Sequence, residues 1–322
     1  MPSSKPSPVI SVVMPVFNSG DYLLQAVDSV LAQKQIDGVP LPEYELIIVD
    51  DASTDERTIA LLQTAAQMDR RVRVVANQRS KGAAGARNTG IMQATGDWIG
   101  FIDSDDIWLP HALALRWHFM RAVPEMRWVA ARFKLLTTSL SSEQYVHDSA
   151  RFDDNRAAGS ALPPVRRMAR PFLDFSKSCL IQTTTVLIRR DLIVAMDLFN
   201  ETLHRAEDYH LWFKCAVAND LWLIDDEISY YRIHGASLTH GDAPRFLKED
   251  LMIGMLLATG LQTAHRRSLV RRLDFVLQDE CYFYRHRRQF DHSLRVAAKW
   301  VARRPFQMGG WKELLASALR RG

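Results

Sequence analysis

The chain has 322 residues, 47% hydrophobic and 24% charged, the profile of a globular protein with enough apolar mass for one large packed unit or two smaller ones. It has no uncharged apolar run of about 18 residues, and the opening MPSSKPSP lacks the apolar stretch of a secretory signal, so neither a spanning helix nor export is indicated and the cytoplasm is the expected location. The net charge of +4 conceals an asymmetry: residues 245–322 hold 16 Lys and Arg against 7 Asp and Glu, whereas residues 1–244 hold 25 against 30.

In chain order, short β-branched runs alternate with helical patterns. VISVVMPVF (9–17) reads as a strand, about 22–33 as a helix, YELIIVD (44–50) as a strand, about 55–68 as a helix, VRVVA (72–76) as a strand, about 83–94 as a helix and DWIGFID (97–103) as a strand. Continuous apolar strands separated by helices predict a mostly parallel sheet covered on both faces, an α/β domain. A fifth strand, RWVAARFKLL (127–136), leads into residues 139–170, whose weak periodicity reads as one long loop. TTTVLIRR (183–190), LWLID (221–225) and ISYYRI (228–233) read as strands around a helix near 208–218. From about 243 the pattern is helical, with Leu294, Ala297, Ala298 and Val301 at i, i+3, i+4 and i+7. The expected organisation is a short N-terminal segment (1–8), an α/β domain (9–242, divided at 136/137) and a basic helical region (243–322).

Ligands of open α/β sheets collect outside the carboxyl ends of the strands. Three of the first four strands end there in polar groups: Asn18 after the first, Asp50 and Asp51 after the second, Asp103 and Asp105 after the fourth. Carboxylates one residue apart at a strand exit can aim at one point, and all-oxygen donors suit Mg²⁺ or Mn²⁺, which one or two carboxylates hold while water and phosphate fill the remaining positions. Cys179, Cys215 and Cys281 lie far apart without a C-x-x-C pair and read as reduced core thiols. A G-x-G-x-x-G after the first strand is absent, which excludes a dinucleotide-binding oxidoreductase, and no G-x-S-x-G elbow supplies a covalent nucleophile. The basic C-terminal region fits an anionic lipid surface, nucleic acid, an acidic partner or simply a solvated helix face.

SVVMPVFN, IIVDDASTD, KGAAGARNTGIMQATGDWIGFIDSDDIWLP and AEDYHLW occur in an order and spacing that resemble the family 2 glycosyltransferases, over about residues 9–240. The resemblance implies a GT-A fold and transfer of a sugar, with inversion, from a nucleotide-diphosphate sugar, most often a UDP-sugar, to a hydroxyl acceptor in glycan assembly. It implies that Pro15, Val16, Phe17 and Asn18 line the nucleotide pocket, that Asp51 hydrogen-bonds the base, and that Lys81, Arg87, Ser104 and Trp108 neighbour the donor. Arg87 also reads as a salt-bridge partner inside its helix. Asp103 and Asp105 match the D-x-D motif that holds Mn²⁺ or Mg²⁺, with His234 as a further metal ligand or a phosphate contact, and Glu207 and Asp208 match the E-D pair whose Asp acts as general base. STDERT, with Arg57 before Thr58, departs from the family's second motif only at a helix start. The tail beyond 243 lies outside the shared region; Trp300 with Arg295, Lys299, Arg303 and Arg304 is expected to rest on an anionic membrane, which suits a lipid-linked acceptor and places the protein at the inner face of the cell membrane, with no nucleic-acid partner. The alternatives are a catalytically silent nucleotide-sugar-binding or scaffold protein, and a sugar nucleotidyltransferase, which lacks support because PVFNSGDY has no Gly-rich, Arg-bearing loop.

Overall fold

The computed structural model describes residues 9–36, 39–137, 162–233, 244 and 246–320. These group into two units: Met1–Pro171, Cys179–His204 and Leu211–Ile233 form the first, and Phe172–Ser178, Arg205–His210 and His234–Gly322 the second.

The strands of the first unit are β1 (Ile10–Val16), β2 (Tyr44–Asp50), β3 (Val72–Ala76), β4 (Trp98–Phe101), β5 (Ile107–Trp108), β6 (Trp128–Leu136), β7 (Val165–Met168), β8 (Leu187–Arg189) and β9 (Leu221–Arg232). Among the described residues they form one sheet in the order β3-β2-β1-β4-β8-β6-β9-β5, with β7 also on β9. Pairing is parallel through β3-β2-β1-β4 and between β6 and β9, and antiparallel where β8, β5 and β7 join. The parallel part is where the chain is most uniformly apolar: β1 is buried at every position but Pro15, and β2 at every position but Asp50. Each fully buried Val, Leu or Ile there contributes about 1.5–3 kcal/mol, and helices α1 (Tyr22–Leu31), α2 (Glu56–Met68) and α3 (Ala83–Gln93) supply the covering faces. Asp55 caps α2 by accepting from the Thr58 amide at 2.8 Å, so Thr58 of the STDERT stretch is a capped helix position.

Several elements differ from the sequence reading. The two short strands expected at 221–225 and 228–233 are one strand, β9; register shifts opposite Ala131, Arg132 and Lys134 of β6 break its pattern without breaking its pairing. Within 139–170, residues 138–161 lie outside the described set, whereas Val165–Met168 pairs antiparallel with β9. Thr183–Thr185 forms a single helical turn before β8, and Arg190–Ala195 a short helix after it. The two-residue β5 is too short to leave a periodic signal.

Further along come α4 (Ala112–Ala122), the single turn α5 (Phe172–Phe175), α6 (Arg190–Ala195) and α7 (Glu207–Ala216), then α8 (Glu249–Leu257), α9 (Thr263–His286), α10 (Phe290–Arg303) and α11 (Met308–Ala318). In the second unit Leu269, Leu273, Val276 and Cys281 of α9 and Ala297 and Trp300 of α10 are buried. The expected membrane-facing set on α10 is corrected here. Trp300 is 2% exposed and donates to Asp274 at 2.9 Å, Lys299 and Arg303 pair with Asp250, and Arg304 pairs with Asp274 at 3.5 Å. Lys299, Arg303 and Arg304 are thus partnered by acids of neighbouring helices, a pairing that periodicity does not reveal, while Arg295 is exposed. Cys215 and Cys281 are buried thiols, but Cys179 is exposed. Among the described residues no helix is long and apolar enough to cross a membrane.

Candidate active site

Parallel strands end on one side, so the order β2-β1-β4 gathers Asn18, Asp51 and Asp103 at a common carboxyl edge, with Val16 opposite Asp50 and Val13 opposite Phe101. Asn18 leaves β1 at φ 50° and clamps the next loop: its Oδ1 accepts from the amides of Thr54 at 2.8 Å and Asp55 at 3.0 Å. Phe17 is 47% exposed, and the Lys81 ammonium stands 4.4 Å from its ring centroid, a cation–π contact on the open side of this edge. Val16 was expected among the donor contacts. Its side chain is instead in the core at 1% exposure, and its carbonyl accepts the Asp51 amide at 2.8 Å. Pro15 lies beside it, partly buried in β1.

Asp51 organises the loop between β3 and α3. One carboxylate oxygen accepts from Asn77 Nδ2 at 2.6 Å and the other from the Gly82 amide at 2.7 Å. Asn77 Oδ1 accepts in turn from Thr89 and from the Arg79 amide, and Glu201 receives Arg79, the Ser80 amide and Asn88 at 2.7, 3.2 and 2.8 Å. Burial works to raise the Glu201 carboxyl, but the hydrogen bonds from Asn88, Arg79 and Ser80 outweigh it and hold it down at about 2. Glycine is demanded twice here. Gly82 sits at φ 123°, and a Cβ on Gly85 would meet the Ser80 carbonyl oxygen at 1.9 Å. Because that neighbour is backbone, Gly85→Ala is expected to destabilise the chain by about 3 kcal/mol, at the upper end for overpacking, read as a lower urea midpoint.

The three acids after β4 divide their work. Asp103 pairs with Arg87 at 2.7 Å, the arginine side chain 6% and the aspartate side chain 25% exposed. Arg87 is the salt-bridge partner of Asp103, which lies outside its own helix, and the pair fixes the carboxylate's orientation. Asp105 is partly exposed, and its carbonyl accepts from Arg232 Nε at 2.8 Å. Asp106 is 1% exposed and turns inward, accepting from Thr184 Oγ1 at 2.5 Å and from the Arg232 amide at 3.0 Å. Burial, reinforced by the charges of Asp103 and Asp105, pushes its carboxyl well above the usual range. Ser104, between the two outer acids, is 9% exposed and hydrogen-bonds Ser19 at 2.5 Å.

Beneath this turn lies Trp108, expected to meet the sugar and corrected by its burial. It is 0% exposed, donates to the Thr184 carbonyl at 2.8 Å, and stacks under the Arg116 guanidinium 4.2 Å from its ring. Arg116 is itself buried, which brings its pKa down to about 9, and it donates to Ala112 and Thr185 carbonyls. Trp108 and Arg116 thus floor the turn. Asp106→Ala, which would leave the Thr184 hydroxyl and the Arg232 amide unmatched, is expected to cost about 2–4 kcal/mol in chemical denaturation, and Asp106→Asn only about 1 kcal/mol.

Glu207 and Asp208 open α7 within the second unit. Glu207 is 9% exposed, Asp208 Oδ1 accepts the Tyr209 amide at 2.6 Å, and the Tyr209 hydroxyl donates to the Phe175 carbonyl. Acids in a first turn are favoured by the amide dipoles there. His234 lies outside the described residues. Asn77, Asn88, Glu201 and Arg232 were not among the expected site residues. Asn77 carried a readable signal, since it is the polar residue directly after β3, as Asp51 is after β2; Glu201 and Arg232 are distant in sequence from everything they hold.

Among the described residues no group of three or more His, Cys, Asp or Glu could hold a metal ion. Asp103 and Asp105 nevertheless fit a hard divalent cation: their donors are oxygen, both keep partial exposure, and two carboxylates are what Mg²⁺ or Mn²⁺ takes from protein when phosphate completes the shell.

A profile of glycosyl transferase family 2 matches residues 11–133. An Escherichia coli protein named UDP-Glc:alpha-D-GlcNAc-diphosphoundecaprenol beta-1,3-glucosyltransferase WfgD is 27% identical over 233 residues, 72% of this chain and 79% of that protein. A Rickettsia felis protein named an uncharacterized glycosyltransferase is 29% identical over 237 residues, 74% of this chain but 35% of the relative, so the chain spans about a third of that protein's length. The solved structure of S. aureus TarS 1–349 in complex with UDP-GlcNAc matches with a TM-score of 0.59 at 18% identity, covering 97% of this chain and 92% of that one.

Proposed function

We propose that the chain, whose residues 11–133 match the glycosyl transferase family 2 profile and whose fold is that of the TarS structure, moves a sugar from a nucleotide-diphosphate sugar, in the first instance a UDP-sugar, to a hydroxyl acceptor, with inversion at the anomeric carbon. The observation that carries this reading is the common carboxyl edge of β2, β1 and β4, where Asp51 braces a glycine-bearing loop and Asp103 and Asp105 stand over a floored, hydrogen-bonded turn. Phe17 and Lys81 offer an exposed ring and a cation to base and phosphate, and Asn18, Asp51 and Ser104 are the polar groups about the nucleotide.

When Mn²⁺ or Mg²⁺ is bound, Asp103 and Asp105 would hold it, and it would supply positive charge for the departing diphosphate. Arg87 fixes the orientation of Asp103. In an in-line displacement the acceptor oxygen bonds to the anomeric carbon as the bond to the diphosphate breaks, and the acceptor proton passes to the Asp208 carboxylate, with Glu207 beside it in the helix. His234 is a further candidate ligand. The E. coli relative is named for transfer to a diphosphoundecaprenol-linked sugar, which supports a lipid-linked glycan as acceptor and work at a membrane surface.

Incubation with a panel of UDP-sugars and Mn²⁺ is expected to release UDP, and to raise the thermal midpoint with the preferred donor by mass action. Absence of both for every nucleotide sugar would overturn the reading.

A further inference from the structure

The last helix of the second unit, α11, has its polar side turned in and its apolar side turned out. Inward, Gly310 and Ser317 are buried, Ser317 Oγ hydrogen-bonds Ser293 Oγ at 2.7 Å, and Glu313 pairs with Arg285 at 2.5 Å. Two glycines permit this close seat on α10: a Cβ on Gly309 would stand 2.8 Å from Trp300 Cη2, and one on Gly310 3.1 Å from Val301 Cγ2. Outward, Met308, Trp311 and Leu315 are 65%, 46% and 61% exposed, Leu319 follows at 51%, and Phe306 before the helix is 98% exposed. Their spacing of three and four residues makes one continuous stripe, and Trp311 donates its Nε1 proton to the Pro305 carbonyl at 2.8 Å, so its ring needs no water for its polar atom. A stripe of this size facing water marks a surface that meets something apolar.

The charges around it state what that something is. Residues 287–320 carry eight Lys and Arg against two acids; Lys299, Arg303 and Arg304 pair with Asp250 and Asp274, while Arg295, Lys312 and Arg320 are exposed and Glu313 is turned inward. Lys312 and Arg320 are exposed on α11 and just after it. A second copy docked through the same face would set two positively charged surfaces against each other, because a two-fold contact uses the same patch on both sides. An anionic surface neutralises them. We infer that Phe306 and the outward face of α11 form a docking surface for an anionic lipid bilayer, with the aromatic and aliphatic side chains entering the interface and Lys312 and Arg320 meeting headgroup phosphates. This deepens the lipid-linked acceptor reading but stands on the surface alone.

The test is co-sedimentation of the full chain with vesicles, without donor or acceptor. Binding to phosphatidylglycerol-rich vesicles is expected, and weaker binding to pure phosphatidylcholine. Trp311→Glu with Leu315→Glu should lower the partition coefficient about tenfold or more, and Lys312→Glu with Arg320→Glu should lower binding to the anionic vesicles selectively. All four side chains are exposed, so thermal midpoints should match the parent chain. Unchanged binding by the first variant overturns the proposal. So does a parent chain that ignores vesicles, or one whose only response is self-association in light scattering that the same substitutions abolish. UDP release measured in vesicle-free solution should be equal in parent and variants, which keeps the failure of this proposal distinct from failure of the transferase reading.

Discussion

Asp105→Ala is expected to reduce UDP release from the preferred UDP-sugar by about 10³-fold in the presence of Mn²⁺, as loss of a group that positions charge against a leaving diphosphate does. The same substitution should leave the turn in place. The turn is held by other atoms: the Asp105 carbonyl, which alanine keeps, takes Arg232 Nε, while Asp106 receives Thr184 and the Arg232 amide. Asp103→Ala provides the contrast. It should also lose turnover, but it deletes the ion-pair partner of the buried Arg87, so a loss of about 3 kcal/mol is expected, the low end for a buried pair because Asp103 keeps a quarter of its side chain in solvent. Kinetics of UDP release and urea denaturation on both variants measure the two effects separately. Retention of turnover within a few-fold by Asp105→Ala would remove the acid pair from the chemistry.

Asp208→Asn is expected to lower sugar transfer by about 10² to 10⁴-fold, the range for loss of a general base, while donor affinity, read from the thermal shift with a UDP-sugar, stays as in the parent. A sugar hydroxyl is a weak nucleophile until its proton has somewhere to go, and an amide cannot take it. Asparagine preserves the shape and the acceptor for the Tyr209 amide, so α7 should open as before. A fall in donor affinity equal to the fall in transfer would instead assign Asp208 to donor binding.

How far the site could be read in advance differs from residue to residue. Asp51, Asp103 and Asp105 stood out because they cluster where apolar strands end, a place where ligands of α/β sheets collect. Asn77 obeys the same rule, since it follows β3 directly. Trp108 was misplaced: it is adjacent in sequence to the acids, but the chain enters β5 at once and carries the ring under the turn instead of over it. Arg87 read equally as phosphate contact and ion pair, and the structure supplies the ion pair, to Asp103.

What the amino-acid order determined alone is the local grammar: apolar β-branched runs too hydrophobic to face water on either side, helices of amphipathic spacing between them, and polar residues stacked at the strand exits. Those properties depend on neighbours a few positions away. The division of labour among three adjacent aspartates was decided only by the tertiary structure, since Thr184 and Arg232 reach Asp106 across 78 and 126 residues and Gly82 reaches Asp51 across 31. The same holds for α11, whose stripe of Met308, Trp311 and Leu315 reads along the chain as an ordinary core face. Whether an apolar stripe points in or out depends on what packs against the other side, and here Arg285, Ser293 and Trp300 receive its small and polar residues.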